Sequence, residues 1–434
     1  MNDHALNINK ESSTKRESNG GISSSLLKKI AVFIPGIMLI GYNIGTGSIT
    51  SMAKAGANYG VSLLWTLAIS CFITYFLIRI YGRYTTVTGE RALTAFKKHL
   101  HPSVAMFFLI GIVTATCGSI MGVMGIVVDV LYVWSQSFIT GGISALSWAV
   151  AGVIVINAVL WTNKGTLVDK VLSGLVALMA LAFIINFFLM MPPVADMLNG
   201  FIPSIPVTTD SSISPMLVIA SMVGTTVAPA MFLMRTTLVK NAKWTVENLK
   251  EQNLDAIVST TLMFIISAAV MAAAAATLFK QGLTLENTSD MIEMLRPLAG
   301  PGAVLIFVIG IAAAGFSSQF PNIAIAPWFI SDIKNNDNGL THKPYLWIMT
   351  GLSLLCLVVP IFDARPVFIM IASQAFNAVI LPGTVLAMFY LANQTSLMGK
   401  YKCKPWENAV FALVSLFTLG MGFLAMKSLI ESFM

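Results

Sequence analysis

Long apolar runs, broken by short polar segments, recur along this chain from about residue 28 to its end. Most exceed the roughly 20 apolar residues that a helix needs to cross a bilayer. They predict eleven transmembrane helices, over residues 29–58, 60–81, 103–133, 145–162, 167–192, 213–240, 252–279, 301–331, 344–362, 366–393 and 407–430. Residues 1–27 are polar, rich in Ser, Asn and Lys, and lack the apolar core of a cleaved signal. They read as a disordered cytoplasmic tail.

Two of the predicted helices are interrupted. The first contains "GYNIGTGSIT", residues 41–50, where Gly45 and Gly47 flank Thr46 and Ser48 follows. Glycine is a poor helix former, so this stretch invites unwinding. Backbone groups freed in lipid are tolerated only where they face protein or a wet cavity. The sixth predicted helix contains "MVGTTVAPAMFLMRTTLVK", residues 222–240, in which Pro229 cannot donate a backbone hydrogen bond. Alone, a proline in a membrane helix is more often a kink than a site. The positions of the two interruptions, leading two successive sets of five helices, point to inverted repeats with a binding site at mid-membrane. The predicted organisation is 28–200 for the first repeat, 201–396 for the second, and 397–434 for an accessory eleventh helix.

Composition sharpens the class. Of the 434 residues, 56% are hydrophobic and only 10% charged, against roughly 25% charged in soluble proteins. The chain is therefore read as an all-α polytopic membrane protein. Its net charge of +7 is a topology signal rather than a nucleic-acid footprint. With the tail inside, the outer segments hold only Lys280, Arg296, Arg365 and Lys427, while the inner segments hold nearly all other Lys and Arg. That bias predicts a cytoplasmic N-terminus, and an odd helix count then predicts an external C-terminus. Lys54 and Arg235 fall inside spans and are candidate charge partners or gates. Each has a plainer reading, Arg235 snorkelling to the inner surface and Lys54 facing outer water. Cys71, Cys117, Cys356 and Cys403 show no paired spacing, so no disulfide framework or Cys metal site is expected.

The motifs also carry a resemblance. "PGIMLIGYNIGTGSITSMAKAGANYGVSLLW" (35–65) resembles the first helix of the Nramp metal-ion transporters, in register from Pro35 to Trp65. "VTGERAL" (87–93), "GTTVAPAMFLMRTTLV" (224–239), "AAAGFSS" (312–318) and "ASQAFNAVILP" (372–382) resemble further segments of that family. The resemblance spans nearly all of residues 28–430 and implies a LeuT-like fold of the APC superfamily, with 5+5 inverted repeats. It also implies a ligand set that this sequence does not keep. Where the family's first helix reads Asp-Pro-Gly-Asn, Gly45, Thr46, Gly47 and Ser48 stand here. Its Met-Pro-His motif becomes Ala228, Pro229 and Ala230, and the carbonyl-lending position three before falls on Thr225. A second family histidine falls on Arg235, a family glutamine on Lys54, and residues 112–125 lack the family's acid.

The substrate-binding residues expected from this reading are Gly45, Thr46, Gly47, Ser48, Thr225, Ala228, Ala230 and Gln374, with no metal ligand set and no cofactor. A bare divalent ion is costly to bury without a carboxylate, and no soft sulfur stands at the ligand positions. A Gly-Thr-Gly-Ser nest at a half-helix N-terminus suits an anionic group instead. The expectation is thus a secondary transporter of a small carboxylate or amino-acid-like solute, with coupling to protons, to sodium or to nothing left open by the sequence. The alternative is a divalent-metal importer (manganese, iron or magnesium) that uses carbonyls, Thr225, Gln374 and retained water. A transport-dead receptor is a third reading. An enzyme is not expected, since no nucleophile–base set, paired carboxylates or HExxH lies in a span.

Overall fold

In the computed structural model the described residues are 45–162, 193–206, 213–288, 290–293, 301–334 and 340–433, with scattered positions between 174 and 188. The predicted tail (1–27), the first half of the first predicted helix and most of the fifth lie outside them. The principal helices are α1 (Thr46–Tyr59), α2 (Leu64–Thr88), α3 (Pro102–Ser135), α4 (Ala145–Thr162), α5 (Pro215–Thr226) and α6 (Pro229–Asn241). They continue with α7 (Leu249–Thr277), α8 (Pro301–Ile333), α9 (Lys343–Ser353), α10 (Pro366–Asn393) and α11 (Pro405–Phe433). Among the described residues, nine helical segments are long and apolar enough to cross a membrane, counting α5 and α6 as one. They coincide with nine of the eleven predicted spans.

Local chemistry explains where the helices begin and end. Prolines open α3, α5, α6 and α10, where a missing N–H costs nothing. The Ser214 hydroxyl accepts from Leu217 N at 3.2 Å, and His101 Nδ1 accepts from Ser103 N at 3.2 Å. Gly89 ends α2 with a φ of 69°, a left-handed turn that favours glycine.

Burial sorts the helices into a centre and a periphery. The most apolar window of α5–α6 is 94% buried, whereas that of α4 is 22% buried. α4 turns Ile154 outward, and α11 turns Leu416 and Phe423 outward. Such faces suit lipid, because a helix that is apolar all round needs a nonpolar surround. In the centre, α3 packs on α8 and α10, α5 packs on α10 and α1, and α7 packs on α1 and α2. These crossings are close. A Cβ placed on Gly224 of α5 would lie 1.8 Å from the Gln374 carbonyl oxygen of α10. Neither backbone can yield cheaply, so glycine is what lets α5 approach α10. Packing of small residues is the usual means of helix association where lipid removes the hydrophobic drive.

Gly224→Ala is therefore expected to lower the thermal stability of the purified protein by about 1–3 kcal/mol, the usual cost of overpacking. Gly351→Ala, at a glycine with open space around its Cβ direction, is the matched control and is expected to be neutral. Equal melting temperatures for the two variants would show that the α5–α10 crossing relaxes.

Candidate functional site: a polar cavity between two helix ends

The predicted interruption of the sixth helix is present. α5 stops at Thr226, Val227 and Ala228 are non-helical, and α6 restarts at Pro229. Across from it, α1 begins at Thr46 after an extended Gly45 (φ −97°, ψ −174°), with no side-chain cap. Between these ends lies a cavity of about 40 Å³. A site for one water takes roughly 10–15 Å³, so this cavity holds about three waters or one partly hydrated ion.

Gly45, Gly47 and Ser48 reach the cavity from α1, and Thr225 and Ala228 from the α5–α6 break. Gln374 reaches it from α10. These six of the eight expected positions come together. Thr46 and Ala230 do not join them, although both are buried. The Thr46 hydroxyl instead lies 3.6 Å from the Cβ direction of Gly315 on α8. Six further lining residues had not been singled out from the sequence: Thr116, Ser119 and Val123 on α3, Ser318 and Asn322 on α8, and Asn377 on α10. The signal for them is slight. Polar residues at helical spacing on otherwise apolar spans mark one face, but not which faces converge.

The orientation of the hydrogen bonds decides what this lining offers. The Thr116 hydroxyl donates to Ile112 O and the Ser318 hydroxyl to Ala314 O, both at 2.7 Å. Ser119 donates to Ala115 O at 3.3 Å. Each hydroxyl carries one proton, so bonding back to its own helix leaves lone pairs facing the cavity. The Gln374 amide is similarly engaged, whereas Asn322 makes no such bond among the described residues and keeps donors as well as an acceptor. Gln374 Nε2 donates to Ser119 Oγ at 3.2 Å and lies 3.4 Å from Met370 Sδ, while Asn377 Nδ2 donates to Gln374 Oε1 at 3.3 Å. The side-chain lining is rich in acceptors. The uncapped starts of α1 and α6 present free N–H groups and positive dipole ends. Among the described residues no cluster of three His, Cys, Asp or Glu could hold a metal.

Two buried charges flank this centre. Lys54, on α1, is fully buried: its Nζ donates to Leu285 O at 2.5 Å and meets Glu286 Oε1 at 2.6 Å. Asn58 Oδ1 accepts from Leu285 N at 3.2 Å. Lys54 therefore does not face outer water; it fastens α1 to the segment that follows α7. Arg235, on α6, does not snorkel. It is fully buried, pairs with Asp255 of α7 at 2.5 Å and lies over the Trp244 ring. Asp255 is near the start of α7 and Leu285 lies beyond its end, so the two pairs sit at opposite ends of the bundle.

A broken helix facing the start of another across a small polar cavity, within an all-helical bundle, defines the LeuT-like secondary-transporter fold. The Eremococcus coleocola manganese transporter has this arrangement of helices: its crystal structure superposes with a TM-score of 0.78 at 16% identity, covering 95% of this chain and 89% of that one. A nucleobase-cation-symport-1 family transporter in a closed conformation matches with a TM-score of 0.58 at 14% identity, over 92% of this chain and 90% of that one. Residues 36–428 match the Nramp family, Natural resistance-associated macrophage protein-like, and the chain belongs to that family. The divalent metal cation transporter MntH of Caldanaerobacter subterraneus is 22% identical over 94% of this chain and 96% of its own length. MntH 1 of Pseudomonas aeruginosa is 25% identical over 90% of this chain and 91% of its own.

Removing one partner of a buried ion pair strands the other charge, at a typical cost of about 3–5 kcal/mol. Arg235→Ala is expected to destabilise the protein on that scale in thermal unfolding. Arg235→Met combined with Asp255→Leu is expected to recover most of the loss. Arg235→Lys keeps the charge but loses the fork and the stacking on Trp244, and is expected to fall between.

Proposed function

We propose that this Nramp-family transporter moves a divalent cation by alternating access, taking it as a hard, partly hydrated ion held by neutral oxygens. The observation that carries this reading is the acceptor-presenting cavity of about 40 Å³. Hydroxyls whose protons are engaged by their own helices offer lone pairs to a cation and little to an anion. Magnesium and ions like it dehydrate reluctantly and commonly keep several waters, and the cavity volume suits an ion that does. The names of the MntH relatives support the same choice. The organic-solute expectation is correspondingly weakened, since those relatives are named for a divalent metal cation.

Ser48, Thr116, Thr225, Ser318, Asn322 and Gln374 are the oxygen donors in this reading. With Ala228 in place of a thioether and Gly45 in place of a carboxylate, the site has no feature that favours a soft transition metal over a hard ion. Met370 sulfur is nearby, but it lies behind the Gln374 amide. In this reading residues 28–200 and 201–396 form the two inverted repeats, 397–434 an accessory helix, and the N-terminus is cytoplasmic with the C-terminus outside. A second reading rests on one observation, the uncapped N-termini of α1 and α6 at the cavity. A carboxylate of very few atoms could accept from their N–H groups.

Proteoliposomes distinguish these. Divalent-cation uptake is expected, with magnesium and manganese competing at similar concentrations and cadmium showing no advantage. Gln374→Ala and Asn322→Ala are each expected to reduce it several-fold. A strong preference for cadmium or manganese, lost in Met370→Leu, would mean that sulfur enters the site. Stabilisation by acetate with no response to any divalent ion would favour the second reading.

Gly47 gives a separate test. A Cβ there would lie 2.8 Å from Gln374 Nε2 and 3.1 Å from Met370 Sδ, both ends of flexible side chains. Gly47→Ala is expected to retain partial uptake, and Gly47→Val to abolish it while the protein still reaches the membrane. Normal uptake by Gly47→Val would remove the cavity from the transport path.

A further inference from the structure

A second polar pocket, of about 170 Å³, lies at the end of the bundle where α2 finishes and α7 starts. Arg79 and Arg83 enter it from α2, Gln252 from α7, and Lys400, Lys402 and Lys404 from the connection between α10 and α11. The one carboxylate described as pairing with these cations is Glu407. It is fully buried, takes the Arg79 guanidinium, and receives Arg83 Nη1 at 2.9 Å and Nη2 at 3.1 Å. One negative charge thus answers five positive ones, and the three lysines remain exposed.

Two polar atoms buried behind the pocket's wall lack partners. Arg83 Nε is an unused donor, because the rest of its guanidinium is engaged by Glu407 and Cys403. Gln252 Oε1 is an unused acceptor on a side chain only 1% exposed. Buried polar groups are rarely left unsatisfied. Apolar surface continues from the pocket: Leu254 and Ile257 of α7 are exposed, and Trp406, under the Arg79 guanidinium at 5.2 Å, is 51% exposed. An exposed tryptophan beside cationic side chains is typical of the membrane–water boundary.

We propose that this pocket binds the headgroup of an anionic glycerophospholipid. Its phosphodiester accepts from the three exposed lysines, and an acyl chain runs along Leu254, Ile257 and Trp406. Basic pockets between transmembrane helices are suited to such headgroups. The bound lipid bridges α2, α7 and α11, so it clasps the last helix to the rest of the bundle. This site stands apart from the central cavity and does not depend on the identity of the transported ion.

The test uses the full chain in a neutral detergent, with dioleoylphosphatidylglycerol, dioleoylphosphatidylcholine and glycerol 3-phosphate as probes. Phosphatidylglycerol is expected to raise the melting temperature and to remain bound in native mass spectra, while the other two do neither. Each lysine near an anionic headgroup contributes roughly fivefold in affinity, so K400Q/K402Q/K404Q is expected to bind phosphatidylglycerol about a hundredfold more weakly. K427Q, at an exposed lysine outside the pocket, is expected to bind it normally. Should the triple variant fold poorly, K402E alone is expected to lose the mass-spectrometric adduct. Equal stabilisation by phosphatidylcholine would overturn the proposal. So would glycerol 3-phosphate reproducing the effect, which would make the ligand a free phosphate, or undiminished lipid binding by the lysine variants.

Discussion

The organisation of this protein rests on one constraint: a backbone group released from a helix inside a membrane must find another polar partner. Interrupting a helix at Val227 and Ala228 releases such groups. Each must face protein or a wet space, because lipid offers nothing to bond to. Two consequences are visible. Thr226 O is capped by the Thr74 hydroxyl at 2.7 Å, which ties the break to α2. The remaining polar surface is turned toward the start of α1, where the same problem arises, and a single cavity serves both. The site is thus a product of the fold's own backbone accounting. Its side chains then decide what enters.

Those side chains differ from what the family's ligand set would lead one to expect, and the difference is chemical. Gly45 and Ser48 stand where the family has an acid and an amide, and Ala228 stands where it has a thioether. A carboxylate supplies charge to replace the ion's lost hydration. Neutral oxygens supply only dipoles, and so favour an ion that keeps part of its water.

The interruption of the sixth predicted helix was legible because proline acts locally: Pro229 has no backbone N–H and opens α6. The other predicted break falls at the edge of the described residues, where Gly45 is extended and Gly47 already helical. The nine spans were legible because lipid imposes length and polarity on each separately. Convergence was not. Asn322 and Ser318 on α8, and Thr116 and Ser119 on α3, are unremarkable on their own spans, and only the α3–α8–α10 packing brings them to Gln374. The nest reading of Gly-Thr-Gly-Ser rests on the tetrapeptide alone and takes no account of those neighbours, of which Thr116, Ser119 and Ser318 spend their hydroxyl protons on their own helices. Lys54 and Arg235 were visible as charges out of place. Their partners, Glu286 and Asp255, lie in a distant segment and on another helix, where spacing carries no information.

Those two pairs also bear on how transport can be coupled. Both fasten a half-helix that borders the site, α1 or α6, to α7 or to the segment that follows it. α7 thereby links the two ends of the cavity, and a movement that opens one end must either carry α7 along or break a buried pair. Breaking one leaves a desolvated charge, so rigid motion of α1 or α6 with α7 is the cheaper path. The chemistry of Arg235 adds a further restriction. A histidine at this position could release a proton near neutral pH, but a guanidinium does not deprotonate in a protein. Its buried pairing with Asp255 therefore serves as a fixed fastening, and any proton that moves with the cargo must travel by other groups.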